Sequence, residues 1–430
     1  MKQKILVFCI DALCSSDIEY MKEMPNFKTI IESGSYVKHI ETVYPSLTYP
    51  CHVSILTGTY VKKHGIPHNE NVEVGNQNAP WFSMKHEVKV KTLLDYAREY
   101  GYSTCSLSWP VSGGADYDFN MPMIVPMSYS GYHPEKYLEN TATKNLMDQY
   151  FWKYGRYIKG KDRSLDLLTM ALAPDIIRDY GQADVMLIKM CDLDTARHIH
   201  GVYHELVTEQ LRKHDEEFGV ILESVKRYGD FENTNFIILG DHGQTDVSHV
   251  LNFNILLKQN GFIILDEEGN IVDYTAYCHS VGLSAWIQLK NPKSEEDKKR
   301  VYDFLLSVKK DPQYGLGYVY TKEESEALYG LTGPFDFVIE GEKAISFGNT
   351  LKGEDVFAPT VVGDYKISKA SHGCLPFKEE HTLFIGSGPS FKKGVVVERS
   401  SMVNEAPTMA KILGFEMKDI DGISIDDLLK

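Results

Sequence analysis

The sequence predicts an α/β fold: a mostly parallel central sheet with helices on both faces, plus an inserted α+β cap subdomain. Two observations carry this. Short apolar runs at residues 4–10, 104–108, 184–190, 235–239 and 382–385 alternate with helix-length segments at 16–32, 90–100, 203–228 and 252–260. Near-continuous apolar runs are what strands buried on both faces look like, and the intervening helices supply the crossovers that parallel strands need. Several of these runs also lead into aspartate or histidine, and an open α/β sheet gathers whatever follows its strands into one crevice.

In chain order, the first run, Ile5 to Ile10, leads into Asp11. It is too short for a secretory signal, Asp11 interrupts it, and no small-residue cleavage site follows, so it reads as the first core strand. Residues 111–183 are rich in Tyr, Met, Pro and Gly and read as a loop-and-helix insertion. Residues 261–365 give short strands at 284–289, 318–321 and 335–340 around a charged helix at 294–309, which predicts a cap subdomain inserted into the core. The catalytic core is therefore expected over 1–260 and 366–430, with 111–183 as an insertion and 261–365 as the cap.

Composition narrows the function. The 430 residues carry a net charge of −15, which argues against a nucleic-acid polymer held on a broad basic surface. Small anionic substrates remain compatible, because bound divalent cations reverse the local field. Cysteines 9, 14, 51, 105, 191, 278 and 374 are scattered without CxxC spacing and are expected to be reduced and mostly buried. No run of about 18 apolar residues occurs, so no membrane span is expected, and a cytoplasmic location follows as the expectation. The sequence does not fix the oligomeric state.

The chemistry concentrates in a few short segments. Asp241-His242-Gly243 directly follows the run 236–239. The run 185–190 leads into Asp192, Asp194 and His198, and Ser371-His372-Gly373 lies near the end. Asp194 and His198 are four apart, which places both on one helical face, while Asp192 is the competing ligand. Aspartate and histidine are ligand types for divalent metals such as zinc. Thr48 lies in Tyr44-Pro-Ser-Leu-Thr-Tyr-Pro-Cys-His52, ahead of an expected helix over 52–56. A hydroxyl there is either an ordinary N-cap or a nucleophile aided by the helix terminus. Each ligand candidate has a plain structural alternative as a cap or a satisfied histidine. His64, His68, His249 and His279 are expected to be structural or surface groups.

Taken together, Asp11, Thr48-x-Pro50, Asn69 after His64-Gly-Ile66, Asp194-x-x-x-His198, Asp241-His-Gly243 and His372-Gly373 resemble the alkaline phosphatase superfamily, and within it the nucleotide pyrophosphatase/phosphodiesterase family. Ser108-Trp109-Pro110 is similar to the Trp-Pro segment of that family. The resemblance spans residues 11 to 373 and implies an alkaline-phosphatase-like core with two zinc ions. It assigns Asp194, His198 and His372 to one ion, and Asp11, Thr48, Asp241 and His242 to the other; manganese at one position is also compatible with such ligands. It further implies that Thr48 is the nucleophile, forming a covalent phosphothreonine, and that Asn69 donates to a non-bridging phosphate oxygen. The expected substrate is a small phosphorylated molecule, nucleotide-like, cleaved at a phosphodiester or phosphoanhydride bond.

Departures separate the branches. Sulfatases need Cys/Ser-x-Pro-x-Arg, and here Thr48-x-Pro50 is followed by Cys51-His52. Alkaline phosphatases follow their nucleophile with an arginine, replaced here by Tyr49, which favours diesters over monoester dianions. Phosphonoacetate hydrolases are the closest alternative, but no lysine assigns itself to the substrate carboxylate; Lys62 and Lys63 are available near a turn. A phosphomonoesterase of the same superfamily, or a degenerate protein that only binds metal or nucleotide, completes the alternatives. Tyr49, Trp81, Phe82 and Trp109 are candidates for an aromatic slot around a nucleobase or aryl group, or for plain packing.

Overall fold

A computed structural model describes residues 2–124, 133–159, 163–342 and 344–430. Its centre is an eight-stranded sheet of β1 (Lys4–Ile10), β2 (Ser35–Glu41), β3 (Thr104–Trp109), β4 (Phe119–Pro122), β5 (Val185–Met190), β6 (Thr234–Leu239), β7 (Thr382–Ser387) and β8 (Val396–Ser401). Their spatial order is β8-β2-β7-β6-β1-β5-β3-β4. Only β7 runs against its neighbours, so the sheet is mostly parallel, as expected.

Alternation along β1 explains its near-continuous apolar sequence. Leu6, Phe8 and Ile10 enter one core with the helices Pro25–Ser33, Leu165–Tyr180 and Glu205–Tyr228. Ile5, Val7 and Cys9 enter a second core with Thr48–Thr57, Leu93–Glu99 and Glu405–Leu413. Phe8 meets Phe218 at 5.2 Å between ring centres, and each such fully buried side chain contributes roughly 1.5–3 kcal/mol. Because β1, β5 and β6 are parallel in register, their carboxyl ends deliver Asp11, the Asp192–His200 helix and Asp241 to one edge.

Three expectations change. The segment 111–183 is not a separate insertion: β4 completes the main sheet and Leu165–Tyr180 packs on the core. The single helix expected over 16–32 is broken into Ser15–Asp17, Ile18–Met21 and Pro25–Ser33, with Pro25 opening the last piece. The smaller unit also begins before residue 261. Leu251, Phe253, Leu256 and Leu257 share their core with Ala276–Ser280, Ser284–Leu289, Leu316–Thr321 and Phe337–Gly341, which form a four-stranded antiparallel sheet. The charged helix of this unit is Glu295–Lys310, capped by Ser294 Oγ accepting from Asp297 N–H. Among the described residues, no helix is long and apolar enough to cross a membrane.

Candidate active site

Thr48 is the first residue of the helix Thr48–Thr57, and the preceding Leu47 offers no side-chain cap. The N–H of Tyr49 in that first turn donates instead to Asn69 Oδ1 at 3.0 Å. One contact thus satisfies an orphan helix donor and fixes the Asn69 amide, whose side chain also hydrogen-bonds the Tyr365 hydroxyl. Thr48 Oγ1 lies 3.1 Å from His242 Nε2.

Two groups of ligand-type side chains meet beside Thr48. Asp194, His198 and His372 converge, with Asp194 Oδ1 3.2 Å from His198 Nε2 and 3.9 Å from His372 Nε2. Asp11, Asp194 and His242 form the second cluster, and Asp241 Oδ2 approaches His242 Nε2 to 3.3 Å. The His242 and His372 rings stack at 3.8 Å, so the groups are immediate neighbours. All the residues assigned by the resemblance, Asp11, Thr48, Asn69, Asp194, His198, Asp241, His242 and His372, are therefore brought to one place.

The donor chemistry fits bound cations on two counts. Asp11 Oδ1, Asp241 Oδ2 and His198 Nε2 are buried without a hydrogen-bond partner, a costly arrangement for polar atoms unless something else takes their lone pairs. Each histidine also turns Nδ1 to a backbone carbonyl: His198 to Ala370 at 2.7 Å, His372 to Ser46 at 2.9 Å and His242 to Gly243 at 3.0 Å. Donation there makes Nε2 the free lone pair, the usual way a protein orients a metal-binding imidazole. Burial and mutual charge perturb several of these groups. Burial, reinforced by the adjacent Asp241, pushes Asp11 well above the ordinary carboxylate range. Burial would also raise Asp241, but the His242 and His52 imidazoles outweigh it and hold that carboxyl low. Burial, with His242 beside it, keeps His372 well below the ordinary imidazole value and hence neutral.

The surroundings hold this geometry. Ala12, just after Asp11, has φ of 59°, a left-handed turn that lets its N–H donate to Asp241 Oδ1 at 3.0 Å. Arg197, buried, bonds to the Ala12 carbonyl and pairs with Asp17 at 2.7 Å, tying the Asp194/His198 helix to the turn after β1. Gln244 Nε2 donates to Asp194 Oδ1 at 2.5 Å. Asp192 faces away, toward Lys213 at 3.4 Å. His64, His68 and His279 bond to Ser54, the Ser280 carbonyl and Gln288, and His249 to Ser248.

Thr48 and Asn69 open into a cavity of about 360 Å³. Of the four aromatic candidates only Trp81 lines it. Tyr49 is buried behind with its ring edge on Trp81 at 5.2 Å, and Phe82 packs in the same cluster. Trp109 lies in the core against His52 at 4.8 Å, because an irregular register between Leu107 and Trp109, with Ser108 at φ 58°, moves it to the other face of β3. The second aromatic wall is Tyr365, 5.6 Å from Trp81, whose hydroxyl donates to Glu70 at 3.1 Å while Lys366 pairs with Glu70 at 2.8 Å. No motif marks Tyr365 in the sequence. Lys189, a lone cation in β5, also reaches the site through Asp11 and belongs to no motif either.

This is the alkaline-phosphatase-like α/β architecture, and the comparisons with known proteins give the branch. The type I phosphodiesterase/nucleotide pyrophosphatase profile matches residues 5–346, and the chain belongs to that family. It is 22% identical to rat ectonucleotide pyrophosphatase/phosphodiesterase family member 7 over 421 residues, covering 93% of this chain and 81% of the relative. It is 24% identical to human bis(5'-adenosyl)-triphosphatase over 262 residues, covering 58% of this chain and half of that protein's length. The structure of murine ectonucleotide pyrophosphatase/phosphodiesterase 5 superposes with a TM-score of 0.70 at 19% identity over the whole of both chains. An inactive threonine-to-alanine variant of that murine protein, in complex with AMP, superposes equally well.

Proposed function

We propose that the protein is a two-metal phosphodiesterase or nucleotide pyrophosphatase in which Thr48 attacks phosphorus and transiently carries the phosphoryl group. The observation that carries this is Thr48 Oγ1 itself: at a helix terminus, 3.1 Å from His242 Nε2, beside two clusters of ligand-type side chains that include the unpartnered Asp11 Oδ1, Asp241 Oδ2 and His198 Nε2, and next to the Asn69 amide. Asp194, His198 and His372 would hold one cation, and Asp11, Asp241, His242 and Thr48 the other. When bound, such ions lower the pKa of a hydroxyl and neutralise charge on attacking and leaving oxygens. Zinc suits the mixed nitrogen and carboxylate set, with manganese compatible at one position.

The chain's own residues do the remaining work. The helix Thr48–Thr57 points its amino terminus at the phosphate, and Asn69 Nδ2 donates to a non-bridging oxygen. No lysine or arginine is among the described residues lining the cavity, which favours a diester monoanion over a monoester dianion or a carboxylate-bearing phosphonate. Trp81 and Tyr365 give a flat ring two aromatic neighbours, and the AMP bound by the murine relative is in keeping with a nucleotide-like substrate. The seven thiols are unpaired, six of them buried, which supports a reducing compartment, and we place the protein in the cytoplasm on that basis.

The test is kcat/KM of zinc-loaded protein on bis-p-nitrophenyl phosphate against p-nitrophenyl phosphate and phosphonoacetate. A preference for the diester of at least about a hundredfold, some 2.7 kcal/mol, is expected. Preference for the monoester or the phosphonate would move the assignment to those branches.

A further inference from the structure

Lys189 sits in β5 opposite Cys9 of β1, on a strand whose other five residues are apolar. Its side chain is wholly buried. The ammonium lies 2.5 Å from Asp11 Oδ2, 3.1 Å from Cys191 Sγ and 3.7 Å from Met123 Sδ. Asp11 is thus divided: Oδ2 is taken by Lys189, while Oδ1 stays unpartnered and turned to His242 Nε2 at 3.4 Å. Arg197, the other deeply buried cation nearby, is committed to Asp17.

We infer that Lys189 is a positioning residue for the reaction, one that holds Asp11 as a single-oxygen ligand and keeps the charge of this donor cluster low, so that a divalent cation seated there stays electron-poor toward Thr48. The inference rests on the reading of the site proposed above. Once ionised around bound cations, Asp11, Asp194 and Asp241 together bring three negative charges, and Lys189 cancels one of them. Two divalent cations on the remaining two charges leave a surplus of two positive charges, which balances an ionised Thr48 and a diester monoanion. Without Lys189 the surplus falls to one, and Asp11 Oδ2 becomes free to act as a second ligand atom. The same cation would then bind more tightly and polarise less. Ordinary structural support makes the opposite prediction, because losing it loosens the site and weakens binding.

The experiment compares wild type with Lys189→Met and Lys189→Gln. The amide of Gln can still donate to Asp11 but carries no charge, and it avoids leaving the buried carboxylate without a donor. Zinc dissociation constants are read by competition with a chromophoric chelator, coordination by the visible absorption of the cobalt(II)-loaded proteins, and kcat and KM on bis-p-nitrophenyl phosphate. Since a unit charge removed this close to a divalent ion is worth about a factor of ten or more, both variants should bind zinc at least about tenfold more tightly. Their kcat should fall about tenfold or more, with KM held within about threefold. Lys189→Met should also show the weaker cobalt bands of a higher coordination number, and Lys189→Gln the wild-type bands. Unchanged or weaker zinc binding in the well-folded Gln variant would overturn the inference. Affinity and cobalt spectra need no turnover, so a wild-type protein inert toward diesters would defeat the proposed function without deciding this point.

Discussion

Asn69 joins the nucleophile's helix to the stabilisation of charge on phosphate, and two substitutions separate these roles. In Asn69→Ala the amide disappears, and with it both the donor facing the cavity and the acceptor for Tyr49 N–H at 3.0 Å. Loss of one preorganised donor to a developing oxyanion costs about 10²–10³ in kcat, or ~2.7–4 kcal/mol. Tyr49 is 1% exposed, so its N–H would be stranded away from water, a loss of about 1–3 kcal/mol in stability. Asn69→Asp keeps an oxygen acceptor for that N–H and places negative charge at a helix amino terminus, so folding stability should stay within about 1 kcal/mol of wild type. Its activity should nevertheless fall at least as far as that of the alanine variant, because a carboxylate now faces the phosphate. The assay is steady-state hydrolysis of bis-p-nitrophenyl phosphate with urea unfolding on the same preparations. Asn69→Ala within about threefold of wild-type kcat/KM, or an active Asn69→Asp, would rule out a phosphate-facing role for Asn69.

Other expectations follow from the same geometry. Thr48→Ala should abolish turnover yet keep its zinc by elemental analysis, whereas loss of both would make Thr48 chiefly structural. Stripping metal with a chelator should lower the melting temperature, and zinc should restore it, because Asp11 Oδ1, Asp241 Oδ2 and His198 Nε2 then regain partners; a melting temperature indifferent to metal contradicts this. Arg197→Met leaves Asp17 buried and unpaired and should cost about 3–5 kcal/mol in urea unfolding. Tyr365→Ala should raise KM for an aryl or nucleotide diester roughly fivefold, about 1 kcal/mol, with kcat little changed, while Tyr365→Phe keeps the ring and should leave KM near wild type.

The legible parts of the sequence were those where one strand serves two cores. β1, β5 and β6 are apolar on both faces and lead to Asp11, Asp194 and Asp241, so periodicity and chemistry pointed the same way. β4 stayed hidden because an edge strand of four residues ending in Pro122 gives no periodic signal, which is why residues 111–183 looked like an insertion. Trp109 could have lined a substrate slot or packed in the core, and a local irregularity at Ser108, which no residue pattern announces, turns it into the core. Tyr365 comes from a loop outside any motif and is aimed by Glu70 and Lys366, nearly 300 positions apart in the chain. Lys189 stood in plain view as a lone cation in an apolar strand. Its partner, Asp11, comes from the neighbouring strand 178 residues away, and only the sheet order pairs them.

The most direct test of Thr48 as the covalent nucleophile is a single-turnover reaction of zinc-loaded protein with a slow diester, quenched in acid within milliseconds and digested for peptide mass spectrometry. A phosphoryl-ester adduct is expected on the peptide containing Thr48, appearing and decaying at rates matching kcat and absent from Thr48→Ala. Full turnover with no adduct at Thr48, or with the adduct on another residue, would contradict it.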